Sequence, residues 1–214
     1  MTNKSNSFIE NKTQLIQYFK DGIKKDTDLR IGVEHEKFLF NKTDLKRINY
    51  DQIKKIFEIL KEKGWEPQLE GDKLIGLKRL NQKITTEPGF QYELSGAPFK
   101  NIHSVCSENS SHFNELKEVF KSTNITTSSI AYDPFNKLID IPKSPKTRYK
   151  IMTAEMPKGG KLSLDMMYKT AGIQINYDYT SEEDFEKKFK IGNYLAPLTI
   201  ALFANSPFNE NKLT

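Results

Sequence analysis

An α+β fold around a largely antiparallel sheet is what this sequence predicts. Three observations support it. Apolar residues recur at helical spacing in four separate segments. Strand-like runs with period-two alternation fall between them. Helices and strands do not alternate in the strict βαβ order that a parallel sheet requires.

The first helix reads over 13–23, where Leu15, Ile16, Phe19 and Ile23 share a face. "RIGVEHEKFLF", 30–40, follows as a strand in which Ile31, Val33, Phe38, Leu39 and Phe40 surround two glutamates and a histidine. A second helix is expected over 51–63 on Ile53, Ile56, Phe57 and Leu60, with Gly64 as its stop. Strands at 73–79, 84–87 and 91–95 come next, separated by turn residues. A third helix spans 101–121 on Val105, Cys106, His112, Phe113, Leu116 and Phe120, which places Cys106 on a buried face. The proline-rich segment 133–158 reads as an extended covering loop. "AGIQINYDY", 171–179, has the cleanest alternation, with Ile173, Ile175, Tyr177 and Tyr179 opposite Gln174, Asn176 and Asp178. Ser181 caps a fourth helix whose first turn is acidic, with an interruption expected near Gly192 and Pro197.

Length and composition narrow the function classes. With 214 residues, 36% hydrophobic and 29% charged, the chain has the make-up of a globular protein. No stretch reaches the ~20 apolar residues of a membrane span, and the leading residues lack a signal-peptide core. The single Cys106 excludes an internal disulfide framework and a multi-cysteine zinc site. These features predict a reducing, cytoplasmic setting. The net charge of +5 comes from lysines spread along helical faces, such as Lys54, Lys55, Lys61 and Lys63. It lacks the clustered patch with interleaved aromatics that marks a nucleic-acid binder.

The chemistry concentrates in three segments. In a strand, Glu34 and Glu36 project from one face roughly 6.5–7 Å apart, and His35 faces the other way as a structural hydrogen-bonder. Like charges so placed on a partly buried surface call for a cation between them. In "TTEPGFQYELSGAP" Glu87 ends a strand at a Pro88-Gly89 turn, and Gln91, Glu93 and Ser95 share one face of the next. Each segment alone is compatible with an ordinary solvated strand. If all three neighbour each other, Glu34, Glu36, Glu87 and Glu93 meet in one cavity beside Gln174 and Asn176. Such hard oxygen donors suit Mg²⁺ or Mn²⁺, and Mg²⁺ commonly completes its shell with substrate phosphates. The chain has no P-loop, since "MPKGGKL" has the wrong spacing.

The motifs "VEHEKF", "TEPGFQYELSGAPF", "RYKIM", "MPKGGKLSLDMMYKTAGIQINYDY" and "ALFANSPF" occur in the order found in plant-type glutamate–cysteine ligases. The resemblance runs from Arg30 to Phe208. It implies a glutamine-synthetase-like curved antiparallel sheet with helices on its outer face. It also implies an ATP- and Mg²⁺-dependent enzyme that joins L-glutamate to L-cysteine through γ-glutamyl phosphate, the first step of glutathione synthesis. Glu34, Glu36, Glu87 and Glu93 are then the metal positions, with Glu36 and Glu93 reaching the nucleotide through the cation. Arg148, Gln174 and Asn176 are the catalytic positions, and with Met166 they line the substrates. Arg148 is the expected grip on the glutamate α-carboxylate, because Arg holds carboxylates with paired hydrogen bonds. For Met166 and Met167 packing is an equal alternative, and Ser206 is either polar lining or a helix end.

Two departures from the family pattern stand out. The usual "EPGGQ" is "EPGFQ" here, so Phe90 is expected to alter the turn before the Glu93 strand. Family members also continue for roughly as much chain again, which casts 1–214 as the N-terminal part of a single catalytic domain. Two other readings stay open: a related carboxylate–amine ligase with another acceptor, and a non-catalytic fragment that binds glutamate or metal.

Overall fold

The computed structural model describes residues 8–213. In chain order its elements begin with α1 (Lys12–Lys20), β1 (Ile31–Asn41), α2 (Tyr50–Lys61) and β2 (Glu66–Glu70). There follow β3 (Lys73–Arg79), β4 (Gln82–Thr86), β5 (Tyr92–Ser95), α3 (Ile102–Lys121) and β6 (Ile125–Ser128). Then come α4 (Thr147–Glu155), α5 (Ser163–Lys169), β7 (Ile173–Tyr177), α6 (Glu182–Leu202), β8 (Phe208–Asn209) and β9 (Lys212–Leu213). The chain divides into two units, one of 32–175 with 205–214 and one of 1–31 with 176–204.

The first unit is built on an open sheet ordered β2-β3-β4-β5-β1-β6, with β7 also alongside β1. The paired registers along that path are antiparallel. Register decides which face each side chain takes, because a strand alternates. His35 pairs with Leu94 and Glu36 with Glu93. One face of the sheet therefore carries Leu39, Leu77, Ile84, Tyr92 and Leu94 into a core completed by Ile53, Ile56, Phe57 and Leu60 of α2 and by Leu116 and Val119 of α3. The helix periodicity that burial requires is the one the sequence shows. A capping box at Asn49 and Gln52 fixes where α2 begins.

Phe38 and Phe40 point to the opposite face, where Phe135, Ile130 and Ala171 cover them. Beside them Ile141, Tyr149, Met167 and Tyr168 form a further cluster. Arg47 is buried in this layer, donating to Asp133 at 3.3 Å and to the carbonyls of Tyr168 and Gly89, with its guanidinium 4.4 Å from the Phe38 ring centre. Breaking a buried, paired charge of this kind is costly.

Several expectations are corrected. The covering segment over 133–158 is not a loop throughout, because α4 forms within "TRYKIMTAE". Its prolines lie outside the interior of that helix, where they do no harm. Strands β2 and β6 were not foreseen, since Pro67 and short polar composition obscure them. Cys106 is exposed. The buried stripe of α3 follows Val105, His112, Leu116 and Val119, and Cys106 is about 100° of helical rotation from Val105.

In the other unit Asn11 caps α1 and Ser181 caps α6. Lys24 pairs with Asp178 at 2.7 Å, and the Tyr179 hydroxyl donates to the Phe19 carbonyl. Phe19, Tyr179 and Phe185 cluster, with Phe185 stacked on Phe189 at 6.1 Å. Helix α6 runs through Gly192 and Pro197 without the expected interruption. Proline removes one intrahelical hydrogen bond, and the good helix formers Leu195, Ala196 and Leu198 flank it. No helix among the described residues is long and apolar enough to cross a membrane.

Candidate functional site

The face of the sheet opposite α2 and α3 carries the carboxylates. Glu36 of β1 and Glu93 of β5 are register partners, so their side chains rise next to each other. Glu87 joins them from the β4–β5 connection, where its N–H donates to the Gln91 carbonyl at 2.8 Å and its carbonyl accepts from Phe90. Oxygen atoms of Glu36, Glu87 and Glu93 all lie within 4.8 Å of one another. Glu34 lines the same cavity, of about 530 Å³, but its carboxylate is outside that tight trio and accepts from the Gln174 amide at 3.0 Å.

The connection that delivers Glu87 is unusual in one residue. Glu87 and Gln91 close a three-residue link whose last member, Phe90, has φ +58°. That left-handed position normally takes glycine, as in hairpins that end a tight turn with a bulge. Phe90 takes it with its ring buried and stacked on Tyr50 at 6.2 Å between ring centres. The turn is thus kept, and the anticipated change is a strained backbone offset by an aromatic anchor.

Burial, with crowding added, raises two of these acids. Burial pushes the Glu93 carboxyl up to about 7, with repulsion from Glu87 and Glu34 adding to it and the Ser95 hydroxyl opposing it. Glu36 is also raised, first by burial, against a hydrogen bond from the Gly172 N–H at 2.9 Å. A bound cation would favour the ionised forms of Glu36 and Glu93, and the all-oxygen donor set of the trio fits Mg²⁺.

Positive groups face the same cavity. Arg148 lies 3.6 Å from Glu87 and donates to the Tyr149 hydroxyl at 2.6 Å, leaving its fork largely open to solvent. The Tyr149 hydroxyl is 2.9 Å from Glu87, which links the α4 start to the acidic trio. Lys83 and Lys146 also line the cavity, as do Gln68, Glu70 and Thr85. None of these five was anticipated. Gln68 and Glu70 alternate along an unrecognised strand, and Lys146 sits two residues before Arg148 in a segment expected to be loop.

Met166 lines a neighbouring cleft of about 140 Å³ together with Met152, Met156, Glu36 and Glu87. Met167 borders that cleft too, but its side chain is largely packing in the Tyr149 and Tyr168 cluster. Gln174 stands at the carboxylate cavity, whereas Asn176 belongs to the other unit. Ser206 lies in the stretch ahead of β8.

Fold and site together define an α+β protein that offers a carboxylate-rich, cation-suited cavity on the open face of an antiparallel sheet. Residues 30–214 match the profile described as "Glutamate-cysteine ligase family 2(GCS2)", and the chain belongs to that family. It is 45% identical over 202 residues to "Glutamate--cysteine ligase, chloroplastic" of Brassica juncea, covering 94% of this chain and 39% of that protein. The Arabidopsis thaliana protein of the same name is 46% identical over 202 residues, with the same coverage. "Glutamate--cysteine ligase A, chloroplastic" of Oryza sativa subsp. japonica is 45% identical, covering 94% of this chain and 41% of that protein. The chain therefore spans about two fifths of the length of these relatives. Their names overturn the expected cytoplasmic setting, since each is chloroplastic. A scarcity of cysteine limits disulfides and does not specify a compartment.

Proposed function

We propose that the protein is an ATP- and Mg²⁺-dependent ligase that forms γ-glutamylcysteine from L-glutamate and L-cysteine through γ-glutamyl phosphate. Membership of the family and the names of the relatives support the reaction. The observation that carries the site is the trio Glu36, Glu87 and Glu93, with oxygens within 4.8 Å, in one cavity with Arg148, which lies 3.6 Å from Glu87. The glutamine-synthetase-like curvature of the sheet is part of this reading, supported by its open antiparallel order.

Glu36, Glu87 and Glu93 would hold Mg²⁺, with Glu34 beside them. When bound, the ion neutralises phosphate charge that the carboxylates alone would repel. Arg148 grips the α-carboxylate of glutamate with its solvent-facing nitrogens while Tyr149 holds the guanidinium in place. Gln174 sets the orientation of Glu34 through its amide. Met166 and its neighbours give the adjoining cleft a soft, adaptable wall next to Glu36. Asn176 is assigned to the substrates on the resemblance alone. Transfer of a phosphoryl group to a carboxylate asks little covalent help of the protein, so positioning and charge placement account for the machinery.

Calorimetric titration with Mg²⁺ tests the site. One-site binding that falls at least tenfold in Glu36→Gln is expected, and binding unaffected by that substitution would count against it.

A further inference from the structure

Lys146 is the one lysine of the cavity that is itself buried, at 7% exposure. Its Nζ donates to the Thr85 hydroxyl and, at 2.8 Å, to the Thr86 carbonyl. An ammonium has three donor hydrogens, so these partners leave one for the cavity. Among the described residues no carboxylate oxygen comes within ion-pairing distance of it, although Glu87 and Glu93 line the same space.

A tether to the Thr86 carbonyl needs a donor but no charge. Burying an ammonium without a direct counter-ion costs free energy that a neutral amide would avoid. The cost is recovered if an anion completes the shell. We propose that Lys146 contacts an anionic oxygen of the bound substrates, either a glutamate carboxylate or an ATP phosphate, alongside Arg148. This inference rests on the reading of the cavity as the ligase site. Burial draws Lys146 down to about 8, and Glu87 opposes that shift, so the ammonium form still prevails at neutral pH. Thr85 and the Thr86 carbonyl fix Nζ at the end of β4, immediately before Glu87, so the cation is preset next to the acidic trio.

Lys146→Gln separates the two roles, because the amide keeps a donor and loses the charge. Calorimetry with L-glutamate, and separately with the Mg²⁺ complex of a non-hydrolysable ATP analogue, is the readout. A loss of about tenfold or more for at least one ligand is expected, with Lys146→Arg retaining most of the affinity. Whichever ligand is affected identifies the source of the oxyanion. Affinities within twofold of the unsubstituted protein for both ligands would overturn the proposal, as would an unsubstituted protein that binds neither. If Lys146→Gln fails to fold, ligand protection of Lys146 from an acylating reagent, followed by mass spectrometry, decides the matter. Slower labelling with ligand supports the contact, and unchanged labelling overturns it. Mg²⁺ binding that depends on Glu36 together with an indifferent Lys146 defeats this inference alone, whereas Mg²⁺ binding that ignores Glu36 defeats the site reading.

Discussion

Phe90 shows how one residue can strain the backbone and anchor it at once. Its φ of +58° costs a non-glycine residue about 1–2 kcal/mol, while its ring is almost fully buried against Tyr50. Phe90→Ala keeps the strain and empties the aromatic site, so a loss of about 3–5 kcal/mol is expected in urea unfolding. Phe90→Gly removes the ring but relaxes the backbone, and should be the milder change by about 1 kcal/mol. A glycine variant less stable than the alanine variant would refute the strain argument. Glu93 supplies a pH-dependent test. Burial pushes its carboxyl up to about 7 in the fold, from the ordinary glutamate value of about 4.5 that it regains on unfolding. Between those values the native chain holds a proton that the unfolded chain lacks. Without Mg²⁺, stability from this group therefore falls as pH rises from about 4.5 to about 7, by up to about 3 kcal/mol. Comparing melting across that window in wild type and Glu93→Gln isolates the effect. Protons and Mg²⁺ compete for the same oxygens, so Mg²⁺ affinity should rise from pH 6 to pH 8 in wild type and much less in Glu93→Gln. Equal slopes would remove Glu93 from the cation site.

At the level of elements, regular periodicity was legible and irregular segments were not. The sequence pattern matches strand β3 to the residue, and α2, α3 and β5 to within about two, because each has one clean apolar face and a clear cap or turn. The Asn49 cap is independently testable. Asn49→Ala removes the acceptor for the Gln52 N–H and should cost about 1 kcal/mol in chemical unfolding. No measurable loss would show that tertiary packing alone sets the start of α2. Residues 133–158 read as loop in the sequence because Pro134, Pro142, Pro145 and Pro157 dominate the pattern, although the stretch between the last two is free to form α4. A loop pattern does not point to Lys146 and Tyr149, since only a defined helix start places them beside the Thr86–Glu87 strand end. Cys106 presents a related case: it belongs to the right helix but lies off the buried stripe. A lone exposed thiol has no internal partner, so Cys106→Ser should leave activity under mild oxidant unchanged. Oxidant sensitivity abolished by that substitution would give Cys106 a regulatory role.

Across the whole molecule, strand alternation predicts that Glu36 and Glu93 share a face, and the structure brings their carboxylates together. Glu36 and Glu93 meet because β1 and β5 are paired in the register that places both on one face, and sequence could supply only the alternation. Glu87 reaches them through a turn, and Glu34 is drawn aside by Gln174, a difference of side-chain partnership that spacing cannot reveal. We propose that this carboxylate cavity serves ATP-driven joining of glutamate to cysteine. ADP release by the protein, followed together with γ-glutamylcysteine formation at limiting Mg²⁺, tests it most directly. ADP formation should require both amino acids, match the dipeptide one to one, and drop at least a hundredfold in Glu36→Gln. ADP release indifferent to glutamate and cysteine, or undiminished in Glu36→Gln, would contradict it.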